Sequence, residues 1–274
     1  MIHAEDLNDE GVSHYNQGEF EAAVEIFDKA LKLDPSLVAA WSNRGLSLSS
    51  LGRYGEAIES FDRALAIKPE YALAWQSKGV AFCRAGRDDE AIQCYDRALE
   101  INPQLTAAWV GKGAALRHLG RHKDALECLE KAVLQDPRDL AAWTNRGLVL
   151  HDLQRYDEAR ESYEKAIDLD PSYPKVWQAK GILLYDLGSY DEAVESYNRA
   201  IELRPTYTQA WESKGVALQE LGQYDEALKC YSRAIEQNPK DSALWIRKSQ
   251  VLQALGRGAE AEKAQEQSRK IETD

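Results

Sequence analysis

An all-α solenoid of stacked helix hairpins is the fold class this sequence predicts, and three recurrences predict it. Tryptophan returns every 34 residues, at Trp41, Trp75, Trp109, Trp143, Trp177, Trp211 and Trp245. Proline keeps the same interval at Pro35, Pro69, Pro103, Pro137, Pro171, Pro205 and Pro239. Small residues follow suit, with Gly45 to Gly215 four places after each tryptophan and Ala57 to Ala261 sixteen places after it. A fixed period of this length, without insertion, is one supersecondary segment copied end to end. The sequence divides into eight repeats: 4–37, 38–71, 72–105, 106–139, 140–173, 174–207, 208–241 and 242–274. A single solenoid domain over 1–274 is therefore expected.

Each repeat reads as two helices. In the first, helix A, Trp75, Gly79 and Phe82 are spaced by four and then three, which puts them on one face. The stretches LGRY at 51–54 and AGR at 85–87 then break the helix, glycine suiting the left-handed residue just past its end. Helix B follows with Ala91, Tyr95, Ala98 and Leu99 at the same kind of spacing. Its small residues let two axes approach, while Trp and Tyr fill the space beside them. Proline closes the repeat, because it disfavours helix in the residue before it. The ends depart from the pattern, as a solenoid requires. The first repeat carries Leu7, Gly11, Ala23, Phe27 and Ala30, with polar Glu10 and His14 at packed places. The last has Ser249, Gln265 and Ser268 where Gly, an aromatic and Ala recur elsewhere, and reads as a polar cap ending at Asp274.

The string AWQSKGVAFCRAGRDDEAIQCYDRALEINP, with Trp75, Gly79, Phe82, Ala91, Tyr95, Ala98 and Pro103 in register, resembles the tetratricopeptide repeat. The resemblance runs over essentially the whole chain. It implies a right-handed superhelix of antiparallel helix pairs that binds protein or peptide partners. One departure is regular: the family's leucine before glycine is basic here, at Arg44, Lys78, Lys112, Arg146, Lys180, Lys214 and Lys248. In this the array looks more like prokaryotic, particularly archaeal, examples. A row of cations for an anionic ligand is one reading. Aliphatic stems covering the helix pair, with tips in water, is the preferred one, because every full copy shares the feature.

Composition narrows the function. A net charge of −12 and a pI near 5.0 would repel a phosphate backbone, so nucleic acid is not an expected partner. No apolar run is long enough to span a bilayer, and 1–10 is acidic rather than signal-like, so no membrane association and a cytoplasmic location are expected. Cys83, Cys94, Cys128 and Cys230 lack metal spacing; three share a place filled elsewhere by Ser60, Ser162 and Ser196, and reduced structural thiols are expected. His118 and His122 are separated by the turn at Gly120 and Arg121, so no metal site is expected. No nucleophile motif occurs, and neither catalysis nor a cofactor is expected.

Numbering each repeat from its first residue, the resemblance implies that places 2, 5, 9, 12 and 13 line the concave face. Place 9 is mostly apolar: Val12, Leu46, Val80, Ala114, Leu148, Ile182 and Val216. Places 12 and 13 change along the chain. They run from Tyr15, Asn16, Ser49 and Ser50, through Cys83, Arg84, Arg117 and His118, to His151, Asp152, Tyr185, Asp186, Gln219 and Glu220. Asn43 and Asn145 recur at place 6. One reading is a groove holding a peptide or helix lengthwise, its acidic part near Arg84, Arg117 and His118 and its basic part near Asp152, Asp186 and Glu220. The other is that place 9 packs between helices and the charges are ordinary solvated surface. The family's two-carboxylate clamp fits poorly: Asn43 and Arg84 match, but its lysines are missing. Functionally the expectation is a non-catalytic interaction scaffold. Self-association, against a favoured monomer, and service as the targeting arm of a larger assembly are the alternatives.

Overall fold

The computed structural model describes residues 3–273; Met1, Ile2 and Asp274, the last named above as the end of the cap, lie outside the described residues. Among these residues there are sixteen α-helices and no strand. They pair as α1 Ala4–Asn16 with α2 Phe20–Leu33, α3 Val38–Ser50 with α4 Tyr54–Ile67, α5 Ala72–Arg84 with α6 Asp88–Ile101, and α7 Thr106–His118 with α8 His122–Gln135. The series continues with α9 Leu140–Asp152 and α10 Tyr156–Leu169, α11 Pro174–Asp186 and α12 Tyr190–Leu203, α13 Thr208–Glu220 and α14 Tyr224–Gln237, and α15 Ser242–Ala254 and α16 Gly258–Thr273. The expected all-α array of helix hairpins is what is found.

The chain forms two compact bodies, Met1–Asn145 and Arg146–Asp274. In each, the hairpins are locked by the recurring residues. In six hairpins the glycine of helix A faces the aromatic ring of its own helix B, and in the fourth Gly113 faces Leu129: a β-carbon on Gly79 would lie 2.8 Å from Tyr95, and one on Gly215 the same distance from Tyr231. Only hydrogen fits there, so the two axes close onto the ring. Phe27, Phe61 and Tyr95 in the N-terminal body, and Tyr163, Tyr197 and Tyr231 in the C-terminal body, are buried beneath these glycines. The alanines before and after each ring are fully buried as well. Each indole Nε1 donates to the carbonyl oxygen of the proline six residues earlier, from Trp41 to Pro35 at 2.9 Å through Trp245 to Pro239 at 3.1 Å. This bond ties helix A to the loop that precedes it.

Seven turns between A and B helices place glycine at positive φ, from Gly18 to Gly256. The fifth repeat has none, and Gln154 takes the left-handed conformation at φ 60°. Each turn is closed by a backbone bond such as Arg87 N to Phe82 O at 2.9 Å, and the same bond, Arg155 N to Leu150 O at 2.8 Å, forms over Gln154. The ladder demands the turn whatever residue stands there.

The basic row before each glycine adds a role to the expected cover. Several of its tips, partly exposed, are held by carboxylates. Arg44 Nε donates to Asp28 at 2.7 Å, and the ammonium groups of Lys78 and Lys112 lie 2.5 Å from Asp62 and Asp96. Lys180 faces Glu164 at 3.7 Å. These four carboxylates lie sixteen residues back, on the B helix of the preceding repeat. At that offset from Lys214 and Lys248 the sequence has Asn198 and Ser232; among the described residues these lysines pair with no carboxylate and stand over the rings of Trp211 and Trp245. Arginine also reaches inward: Arg44 Nη1 donates to Ser60 Oγ and Arg146 Nη1 to Ser162 Oγ, both at 2.7 Å. The place before glycine is thus a clamp between layers as well as a cover.

Candidate protein-interaction surface

Within the N-terminal body, successive A helices (α1, α3, α5 and α7) touch one another, while successive B helices stand further apart. The A row therefore occupies the inside of the local bend. In the C-terminal body α11 and α13 make the same contact. The inner wall is made of A-helix residues that the hairpin packing does not consume.

On the wall of the N-terminal body, α5 exposes Leu73 and Val80, with Arg84 one turn further on. Arg84 is exposed and pairs with no carboxylate among the described residues. His118 at the end of α7 is exposed too, its Nδ1 3.5 Å from the largely buried Asp88 carboxylate. Arg117 beside it is half-buried. Cys83 lies against Tyr95, sulfur to hydroxyl 3.8 Å, and burial pushes its thiol up to about 11. Such a thiol is protonated at neutral pH and a poor nucleophile. Asn43 is spent inside the body, its amide donating to Asn8 Oδ1 at 3.0 Å, and Asn145 donates to Ala141 O of its own helix at 2.8 Å.

The wall of the C-terminal body is tied to itself. His151 Nε2 lies 2.8 Å from Asp186 Oδ2, across neighbouring A helices. Tyr185 Oη donates to Glu220 at 3.4 Å, and its hydroxyl is shifted upward by burial first and by Glu220 second. Arg247 Nε donates to Glu212 at 2.9 Å. Gln219 accepts from Tyr231, which draws it away from the surface. Leu148 and Ile182 are half-buried, Asp152 exposed. The aromatic rims His151–Tyr156 and Tyr185–Tyr190, at 5.7 and 5.3 Å between centroids, escaped the sequence reading. Their signal was present in the five-residue spacing of both pairs.

Thirty-four-residue hairpins with a varied A-helix wall have an established counterpart. Models of the tetratricopeptide repeat match residues 8–72, 51–106, 78–133 and 110–174, and further repeat models match 162–195, 181–222 and 208–241. The chain belongs to the tetratricopeptide repeat family. Solved structures agree on the fold. A tetratricopeptide repeat protein from Parabacteroides merdae superposes with a TM-score of 0.74 at 15% identity, over 91% of this chain and 98% of that one. TTC0263 from Thermus thermophilus is 27% identical with a TM-score of 0.59, over 66% and 98%. A chain of the APC/C hetero-tetramer Cut9–Hcn1 gives 0.72 at 18% identity, and this chain covers 93% of itself but spans only half of that longer relative. Among curated proteins none matches significantly. Tetratricopeptide repeats are protein-interaction modules, and the chain is an interaction scaffold at that level. No helix among the described residues is long and apolar enough to cross a membrane. Among those residues no three His, Cys, Asp or Glu side chains come together to hold a metal ion.

Proposed function

We propose that the chain is a non-catalytic adaptor that holds a peptide or helical segment of a protein partner against its A-helix walls. One observation carries this. The residues fixed by the repeat are consumed in hairpin packing, and the residues left exposed on the wall are those that change from repeat to repeat. A surface whose shape is constant and whose chemistry varies is suited to recognition rather than to turnover. YrrB, a tetratricopeptide protein with an unusual peptide-binding site, shares the fold with a TM-score of 0.53 at 24% identity. The net charge of −12 argues against nucleic acid as the occupant.

The test is capture of partners from native lysate by wild type and by Leu73→Asp with Val80→Asp, set beside a control variant on the outer B helices, Glu100→Lys. The wall variant should lose partners that the control retains, with helical circular dichroism unchanged in both. Equal capture by all three proteins would remove the wall from the reading.

A further inference from the structure

Along α5 three exposed side chains stand in one stripe. Leu73 is 51% exposed and Val80 37%, seven residues apart, and Arg84 follows four residues later. Two helical turns put the aliphatic pair about 10.5 Å apart on one face. Beside them α7 presents Ala107, Gly111 and Ala114, which keep the neighbouring strip low. A β-carbon at Gly111 would lie 2.5 Å from the Tyr95 ring, so a side chain there would require that ring to shift. The result is an apolar ridge with a shallow trough at its side, closed at one end by Arg84 and His118.

Charge fixes the class of occupant. On a chain carrying −12, this end of the trough holds Arg84, which pairs with no carboxylate among the described residues, and exposed His118, whose Nδ1 lies 3.5 Å from the recessed carboxylate of Asp88. The other A helices of the body differ. α1 carries exposed Glu5 and Asp9, and α3 offers Ala39, Leu46, Ser49 and Ser50, with no charge. An acidic segment would be repelled at α1, indifferent at α3 and attracted at α5–α7. We infer that the α5–α7 face binds an acidic amphipathic segment of a protein partner, its carboxylates on Arg84 and His118 and its aliphatic side chains on Leu73 and Val80. The inference rests on the A-helix wall being the binding surface. Charge supplies the choice of partner and its orientation, and apolar contact supplies the hold. Exposed charges are screened, so affinity falls as salt is raised.

The probes are three fluorescent 14-residue peptides with leucine at helical spacing and Glu, Gln or Lys at the remaining places, titrated into the full chain. The Glu peptide should bind saturably, the Gln peptide about tenfold more weakly, and the Lys peptide not measurably. Arg84→Glu should weaken the Glu peptide by about the same factor with its circular dichroism unchanged. Absence of saturable binding by the Glu peptide overturns the inference, as does indifference of that binding to Arg84→Glu. A Lys or Gln peptide that binds most tightly yet is lost in Leu73→Asp with Val80→Asp also overturns it, but leaves the wall as the binding surface. Binding of every peptide untouched by those two aspartates removes both readings.

Discussion

The walls of the two bodies differ in how far their charged residues are committed to neighbouring repeats. In the C-terminal body Asp186, Glu220 and Glu212 are engaged by His151, Tyr185 and Arg247 of neighbouring A helices. In the N-terminal body Arg84 stands without such a partner, next to exposed Leu73 and Val80. A charge already held by its neighbour must give up that contact before it meets a ligand, whereas an uncommitted one gives up only water. Sign on a helix face therefore says less about binding than whether the adjacent repeat has answered it. The same contrast, reversed, runs through the layer clamps. Lys78 and Lys112 have their carboxylates, while in the C-terminal body Lys180 faces Glu164 only at 3.7 Å and Lys214 and Lys248 pair with none among the described residues.

Equivalent substitutions in the two bodies should break or sharpen this contrast. The largest effect is expected from truncating the ring beneath the glycine. Phe61→Ala and Tyr231→Ala should each cost about 3–5 kcal/mol in denaturant unfolding, since both side chains are fully buried. A loss near zero in either would mean that its body does not depend on the packed layer.

Alkaline pH comes next. Burial raises the thiols of Cys94 and Cys230 from an ordinary 9.0 to about 11. Below pH 9 folded and unfolded chains both keep the proton, so the thiols add no pH dependence. Between pH 9 and 11 the unfolded chain releases it first, and stability should decline as pH rises through that window. Replacing both cysteines by alanine should flatten the decline in urea titrations at pH 8, 9.5 and 11; an unchanged slope would assign it to other groups.

Gln154→Gly should stabilise the C-terminal body by roughly 1 kcal/mol, by relieving a left-handed backbone that a side chain tolerates poorly. The mirror change, Gly86→Gln, should cost the N-terminal body a similar amount, and thermal melting of the two variants reads both. Smallest of all is the clamp. Asn198→Asp offers Lys214 the carboxylate its counterparts have and should add about 0.2–1 kcal/mol, a gain that vanishes in the background Lys214→Met. A gain that survives there would come from something other than the pair.

Helix pairing, the buried Gly–aromatic contact and the turn glycines could be read from the period alone, because each is a local requirement repeated until chance is excluded. The layer clamp was legible in principle. Arg44, Lys78 and Lys112 each have an acid sixteen residues earlier, and arginine at Arg44 and Arg146 accompanies serine at Ser60 and Ser162. Reading one repeat at a time hides this, since the partners belong to different copies. The wall was legible as a set of places but not as a set of available groups. Asn43 and Asn145 look like free amides in sequence and are spent on Asn8 and a backbone carbonyl. Gln219 looks like a contact residue and serves Tyr231. Side-chain direction between adjacent helices decides these cases, and no periodicity encodes it. Gln154 was hidden for the opposite reason: the backbone conformation is imposed by the ladder, so the residue gives no sign of it.

The indole-to-proline bond fixes one tryptophan in every layer but the first. Seven half-buried rings are each bonded through Nε1 to a proline carbonyl, while their cationic neighbours differ, Lys131 lying 4.6 Å from the Trp109 ring centroid. Removing a single ring as Trp→Phe turns the difference spectrum into a gauge of that layer alone, so melting followed through seven such variants would map fraying along the array, layer by layer.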